Sequence, residues 1–388
     1  MRRLPPIFAL LAMSLMAHIT MSGGRVSASL FALQHNDSNL MAGLAYGMYS
    51  LLPALASIHM GRWVDRAGPQ RVMNTSLVVM MCGLALPAMW PNLPTVLVSA
   101  ALGGFGFSSY ILAANVAVSF MPVQHSSERV GMLAWLQIGT SISAVFGPSI
   151  AGTLIDHAGY RVVFAFMAVA VGVSFVLSRR IQLPEGGSRP KKHASVAAVF
   201  GEVARTPALL RIYLIALALS LAWDGFSFMA PVLGHERGYT ASQVGIVLST
   251  FACGTLLIRM ALPWLSRRLP EWRMLSVACA VTATVFLLLP IAHSVFLHAA
   301  LGFLYGLSAG VGQPNILNLI YHSMPPEKAG QGVGLRSMIA GISGLGGPWL
   351  FGIIAGLLSA APVFLLIGCV MGSASWQAHR AAASVAKD

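Results

Sequence analysis

The amino-acid sequence predicts an all-α membrane protein: twelve transmembrane helices arranged as two pseudo-symmetric six-helix bundles. Three observations predict it: the composition, a regular series of apolar runs, and an internal repeat. Of 388 residues, 56% are hydrophobic and 9% charged, with a mean hydropathy of +0.75, against roughly 25% charged residues in an ordinary globular chain. So few charges cannot cover a water-facing surface, which excludes a soluble fold. A net charge of +13 would point to nucleic acid in a soluble protein. Here the charges fall in loops between apolar runs, so the partner they imply is the lipid bilayer and not nucleic acid.

A helix needs about 20 mostly apolar residues to cross a hydrocarbon core of ~30 Å. Cutting the sequence at charges, prolines and glycine clusters leaves twelve such runs, near 7–33, 41–60, 72–90, 95–120, 130–155, 161–178, 208–233, 242–262, 274–292, 295–320, 331–357 and 359–377. Backbone in lipid must bond internally, and none of these runs shows the short alternation of a barrel strand. The first run follows Met1-Arg2-Arg3 and outlasts a secretory signal core, so it reads as the first span. Cys82, Cys253, Cys279 and Cys369 lie inside apolar runs without metal or disulfide spacing, and read as small packing residues.

Lys and Arg fix the orientation. Nineteen of the 24 lie at the termini or in alternate loops on one side, and only Arg161 and Arg237 on the other. Both termini are therefore expected in the cytoplasm. The longest loop, 179–207, carries Pro184, Gly186, Gly187, Pro190 and a basic cluster, and separates an N-terminal bundle (1–178) from a C-terminal bundle with a short tail (208–388). Its stretch 195–205 is weakly amphipathic and suits the inner membrane surface.

The halves also match in detail. Gly147-Pro148-x-x-x-Gly152 recurs as Gly347-Pro348-x-x-x-Gly352, and Gly61-Arg62-Trp63-Val64-Asp65-Arg66 aligns with Pro263-Trp264-Leu265-Ser266-Arg267-Arg268. Two six-helix repeats of one orientation suit a carrier that works by alternating access.

The loop Gly61 to Arg71 resembles the signature loop between helices 2 and 3 of the major facilitator superfamily, G-x-x-x-D-R-x-G-x-(R/K)-(R/K), through Gly61, Asp65, Arg66, Gly68 and Arg71. Gly61 and Gly68 are expected to permit a tight turn there, with Asp65 at a helix end available to arginines or a helix N-terminus. Such a contact would latch the cytoplasmic side. In the second half, Arg267 stands where the aspartate should be.

Span 5 is similar to the antiporter motif of this superfamily's drug:proton exporters, G-x-x-x-G-x-x-x-G-P-x-x-G-G. Gly139, Gly147, Pro148 and Gly152 match, while Ser143 and Ala151 replace glycines. Small residues at every fourth position let another helix approach closely, which explains the motif through packing alone. A further exporter feature, an arginine four residues before the G-x-G of helix 4, is missing: Gly104-Phe105-Gly106 is present, but the arginine position is Ala100.

The resemblance implies the major facilitator fold, a bacterial inner-membrane location, monomeric action on a small-molecule substrate, and coupling to a proton gradient without a cofactor. Export is the favoured direction. Proton-coupled import of an organic anion or metabolite is the alternative, followed by metal import and a receptor that no longer transports.

Ionisable groups inside spans are costly and usually mark a water-filled path. Arg25 on span 1 and Asp224 on span 7 occupy pseudo-symmetric positions. They can form a salt bridge that closes the outer side of a cavity and opens on protonation of Asp224. Alternatively Arg25 grips a substrate carboxylate or phosphate, or the two form a static pair. Arg259 and Arg336 lie near the cytoplasmic ends of their spans and suit snorkelling; pointing inward, they would make the cavity cationic and favour an anionic or zwitterionic solute. His18, Ser22, Tyr46, Gln137, Tyr305 and Asn315 are the polar candidates along the same spans. Met13, Met16, His18 and Met21 cluster on span 1, but no M-x-x-x-M or H-x-x-x-M pair supports a metal path on span 7 or 8. No phosphate loop, H-E-x-x-H, G-x-S-x-G or carboxylate pair is present, so an enzyme is not expected.

Overall fold

A computed structural model describes residues 6–121, 126–181, 201, 203 and 205–385. The first helices are α1 (Pro6–Asn36), α2 (Asn39–Ala67), α3 (Pro69–Met89) and α4 (Leu93–Ser119). The helical stretch Ser126–Arg180 is broken at Gly159, where φ is 80° and ψ is 176°, into α5 (126–158) and α6 (160–180). Then follow α7 (Pro207–Glu236), α8 (Ala241–Leu265), α9 (Glu271–Leu288) with a 3₁₀ turn at Leu289–Ile291, α10 (Val295–Ser323), α11 (Pro326–Leu357) and α12 (Ala360–Val385). Eleven helical stretches among the described residues are long and apolar enough to cross a membrane, and the break at Gly159 makes the longest of them two.

Helix ends are set locally. Ser38 accepts from the Met41 amide at 3.3 Å, and Asn92 and Thr95 close a reciprocal capping box at the start of α4. Ser294 accepts from the Leu297 amide at 3.1 Å. Pro69, Pro207 and Pro326 open α3, α7 and α11, where the first turn needs no amide donor. The outward faces carry large apolar side chains, Phe8, Leu55, Trp135, Phe146, Phe296 and Leu357 among them, as lipid contact requires.

Several helices outrun the apolar runs that predict them. Helix α2 continues through Arg62, Asp65 and Arg66 to Ala67, and Pro326-Glu327-Lys328 is the first turn of α11 rather than a loop. A helix leaving the bilayer need not stop at the first charge, because water solvates the charged side chains while the backbone keeps its own bonds. Gly61 therefore lies inside α2, and the turn falls at Gly68 alone (φ 79°). Of the cysteines, Cys279 is buried, but Cys82 and Cys369 are exposed, which corrects their reading as packing residues.

The described chain forms two compact units, Met1–Lys191 with Gly238–Ser249, and Lys192–Arg237 with Thr250–Asp388. The basic loop and its amphipathic stretch lie almost wholly outside the described residues. One feature of the division was not expected: the first nine residues of α8 belong to the first unit and the rest of that helix to the second.

In the first unit, helices meet where side chains are smallest. A Cβ on Gly104 would strike the Tyr49 backbone on α2, and one on Gly106 would lie 2.8 Å from the Ser76 carbonyl on α3. The G-x-G of α4 thus seats two neighbours at backbone distance. In the second unit an aromatic cluster fills the core: Phe251 stacks on Tyr305 with centroids 5.0 Å apart, and Phe226 and Phe286 pack on the same ring at 5.0 and 5.1 Å.

Candidate functional site

The second unit carries a partly open cavity of about 190 Å³. Its walls include Trp223 and Asp224 from α7, Tyr305 and Gln313 from α10, and Arg336 from α11. This volume equals about six waters at ~30 Å³ each, enough for a carboxylate-sized or amine-sized part of a solute. Asp224 is 8% exposed, and its Oδ2 accepts from the Ser343 hydroxyl at 3.0 Å. Arg336 is half-buried and lies ten residues into α11. It lines the cavity, so the snorkelling reading gives way to an inward-facing one.

Asp224 and Ser343 meet where α7 crosses α11. The corresponding crossing in the first unit joins α1 to α5, since Ser143 is the repeat counterpart of Ser343. There Ser22 Oγ donates to the Ser143 carbonyl at 3.4 Å, and a Cβ on Gly147 would press on Ser22 and come within 3.0 Å of the Ile19 carbonyl. The second crossing is looser: a Cβ on Gly347 would meet only side chains, Phe351 at 3.5 Å and Leu221 at 3.6 Å. Near that wider crossing the second unit has its cavity, with a carboxylate in the wall.

In the first unit Arg25 stands in a cluster with tyrosines and a serine of α2. Its guanidinium donates to Tyr46 Oη and Ser50 Oγ, each at 3.3 Å, and lies 4.9 Å from the Tyr46 ring centre and 5.9 Å from that of Tyr49. Tyr49 is held against Gly24, Gly103 and Gly104, where added methyls would meet its ring, hydroxyl or backbone. A half-buried cation of this unit thus stands on α1, while the arginine position on α4 is the fully buried Ala100.

The other sequence candidates divide. Tyr305 lines the cavity. His18 packs on the Phe107 ring at 5.4 Å, and Ser22 bonds back to His18 and Ile19 as well as to Ser143. Asn315 gives its amide to the Val311 carbonyl of its own helix at 3.0 Å. Gln137 is exposed and its carbonyl receives Thr140 and Ser141. Arg259 is half-buried on α8 and is not among the cavity residues. Sequence reasoning missed Ser50, Trp223 and Ser343. The last carried a usable signal, since it repeats Ser143 at the offset that relates the halves.

In the first turn of α3, Gln70 donates to the Ser178 carbonyl at 2.7 Å and to its hydroxyl at 3.2 Å, and that hydroxyl in turn bonds Asn74. The signature loop is thereby fastened to the end of α6. Asp65 is half-buried, and Arg66 and Arg71 are exposed. On α5, Gly147 faces α1, while Pro148 and Gly152 face the start of α8: a Cβ on Gly152 would meet the Ala241 carbonyl, and one on Gly245 would lie 2.5 Å from the Pro148 carbonyl. Among the described residues no group of three His, Cys, Asp or Glu could hold a metal ion.

The sequence pattern described as Major Facilitator Superfamily matches residues 8–348. The chain belongs to the major facilitator superfamily. This superfamily member is 24% identical over 344 residues to the multidrug resistance protein MdtG of Salmonella choleraesuis (strain SC-B67) and to that of Salmonella typhi, in each case over 87% of this chain and 83% of the relative. Its fold matches solved transporters at low identity. A peptide transporter POT in complex with sulfate superposes with a TM-score of 0.81 at 13% identity, covering 98% of this chain and 94% of the other. A mutant of the nucleoside transporter NupG does so at 0.79 and 12%, covering 96% and 99%. The chain is a multi-pass membrane transporter of small molecules, and its family and relatives are transporters rather than enzymes.

Proposed function

We propose that the protein exports a small organic solute, anionic or amphiphilic, across a bacterial inner membrane in exchange for protons, acting as a monomer with both termini in the cytoplasm. The observation that carries this reading is the cavity of the second unit, in which the membrane-embedded Asp224 and Arg336 share one space with Trp223 and Tyr305. Asp224 is the group that takes up and releases the proton. Arg336 attracts the anionic part of the solute, since a guanidinium offers a planar set of donors that suits carboxylate or phosphate. The aromatic walls suit an apolar body. In the first unit the guanidinium of Arg25, with Tyr46 and Tyr49 beside it, is a further candidate for an anionic group.

Export is favoured over import by the small-residue motif of α5 and by the similarity to multidrug resistance proteins. The test is transport in proteoliposomes under an imposed pH gradient, screened over organic anions and amphiphilic drugs. Solute movement opposite to the proton flow supports exchange. Accumulation in the same direction as protons favours the symport alternative, and indifference to the gradient removes the role given to Asp224.

A further inference from the structure

Away from the cavity, the first unit carries a groove of about 660 Å³ on its surface, between α3 and α6. Met81 of α3 and Ala168, Val169, Gly172 and Val173 of α6 line it, and Arg180 stands at one end. Gly172 keeps it open, since a Cβ there would meet only the Met81 sulfur, at 3.5 Å.

The length and the charge of this groove suit one class of ligand. From Ala168 to Leu177 its apolar wall follows nine residues of helix, about 14 Å at ~1.5 Å each, which is close to half of a hydrocarbon core of ~30 Å, the depth of one leaflet. Arg179 and Arg180 come directly after, both exposed, on the side where Lys and Arg concentrate. Inside a bilayer a lipid tail is in apolar surroundings wherever it lies. Preference for one lipid therefore has to come from close packing of the tail and from the charge that its headgroup meets. Here a recess of one leaflet's depth ends at a guanidinium.

The second half offers a comparison, at the same spacing that relates Ser143 to Ser343. Arg380 is the counterpart of Arg180, and its guanidinium lies 3.9 Å from the ring centre of Trp376, which stands at the position of Val176. A Cβ on Gly368, the counterpart of Ala168, would come within 2.9 Å of the Leu287 side chain. There the protein's own indole and leucine stand where the first unit leaves room.

We propose that the groove between α3 and α6 binds one acyl chain of an anionic phospholipid of the cytoplasmic leaflet, whose phosphate pairs with Arg180. The proposal rests on the orientation given by Lys and Arg, and is independent of the direction and coupling of transport.

The test reconstitutes the protein in phosphatidylethanolamine vesicles with a trace of phosphatidylglycerol that bears a diazirine in one acyl chain. After irradiation, mass spectrometry identifies the cross-linked peptides. Labelling is expected around Met81 and 168–177, displaced by unlabelled phosphatidylglycerol but not by more phosphatidylethanolamine. Arg180→Gln should lower it about fivefold, the effect of one basic residue at a membrane surface. Gly172→Phe fills the groove and keeps the charge, and should lower it at least as much, whereas Gly172→Ala should leave it unchanged. Arg380→Gln removes a charge at the paired position of the second half and should not alter it. Should Gly172→Phe fail to fold, Arg180→Gln at its exposed position decides alone. Equal labelling by a diazirine-bearing phosphatidylethanolamine, or labelling that survives Arg180→Gln or Gly172→Phe, means boundary lipid without selection and overturns the proposal. A dimer in light scattering that Gly172→Phe converts to a monomer puts a second copy in the groove, and overturns it as well. A C-terminal tag exposed on the outside refutes the orientation, and with it the leaflet, while the labelling still decides the lipid contact.

Discussion

The Ser343 hydroxyl donates to the Asp224 carboxylate at 3.0 Å, across 119 residues of sequence and from one helix of the second unit to another. A donor to a buried carboxylate favours its charged form, by about 1.5–3 kcal/mol for a bond to an ionised group. Ser343→Ala removes that preference. If Asp224 carries the proton, Ser343→Ala should change the rate of pH-driven exchange in proteoliposomes by about tenfold or more, the effect of losing one charge-assisted hydrogen bond. Asp224→Asn should abolish the pH dependence altogether, leaving at most solute exchange that ignores the gradient.

Arg336 lines the same cavity, and its two variants should separate charge from shape. Arg336→Gln is expected to weaken the apparent affinity for organic anions by about ten- to a hundredfold, the range for one lost charge-assisted pair. Arg336→Lys keeps the charge without the planar fork and should fall between. Concentration dependence of anion-driven counterflow measures both, and equal behaviour of all three proteins would remove Arg336 from the binding site.

Gly104 and Gly103 are adjacent but not equivalent. A methyl on Gly104 would meet the Tyr49 backbone, whereas one on Gly103 would touch the Tyr49 ring at 3.4 Å. Gly104→Ala should lower stability by about 1–3 kcal/mol, as overpacking against an immobile partner does. Gly103→Ala should cost less, because a ring can shift by tenths of an ångström. Thermal unfolding in detergent micelles compares the two.

The signature loop offers a sharper contrast. Gly68 has φ 79°, and a methyl added there would have no atom within 4 Å, so Gly68→Ala is penalised only by backbone geometry, at about 1–2 kcal/mol. Gly61, inside α2 and equally uncrowded, gains helix propensity on replacement by alanine, about 0.5–1 kcal/mol. Unfolding midpoints should therefore move in opposite directions, although the sequence pattern treats the two glycines alike.

That contrast shows what the chain reveals before folding is known. The spans were legible because crossing a bilayer imposes a length and a composition on each helix separately. Their ends were less so: the charges of Arg62, Asp65 and Arg66 mark where α2 leaves lipid, while the helix itself runs on to Ala67. Arg25, Asp224 and Tyr305 stood out as polar groups in apolar runs. Ser343 did not, because a serine in a span is cheap and common, and its role exists only at a crossing of two helices. The Asp156 carboxylate, which accepts from the Ala241 and Ser242 amides, was invisible for the same reason, since those amides lie 85 and 86 residues away.

The unequal crossings described above bear on how such a protein changes its cargo over generations. Where α5 lies on α1, or α4 on α2, even a methyl group meets backbone, so drift there is removed by misfolding before transport is ever tested. The cavity wall is another matter: Ala216, Ala309 and Ala340 present small side chains to open space, where larger or more polar residues can be tried without disturbing a seam. Evolvability is thus concentrated in the second unit, and a library aimed at altered selectivity has its natural starting positions there.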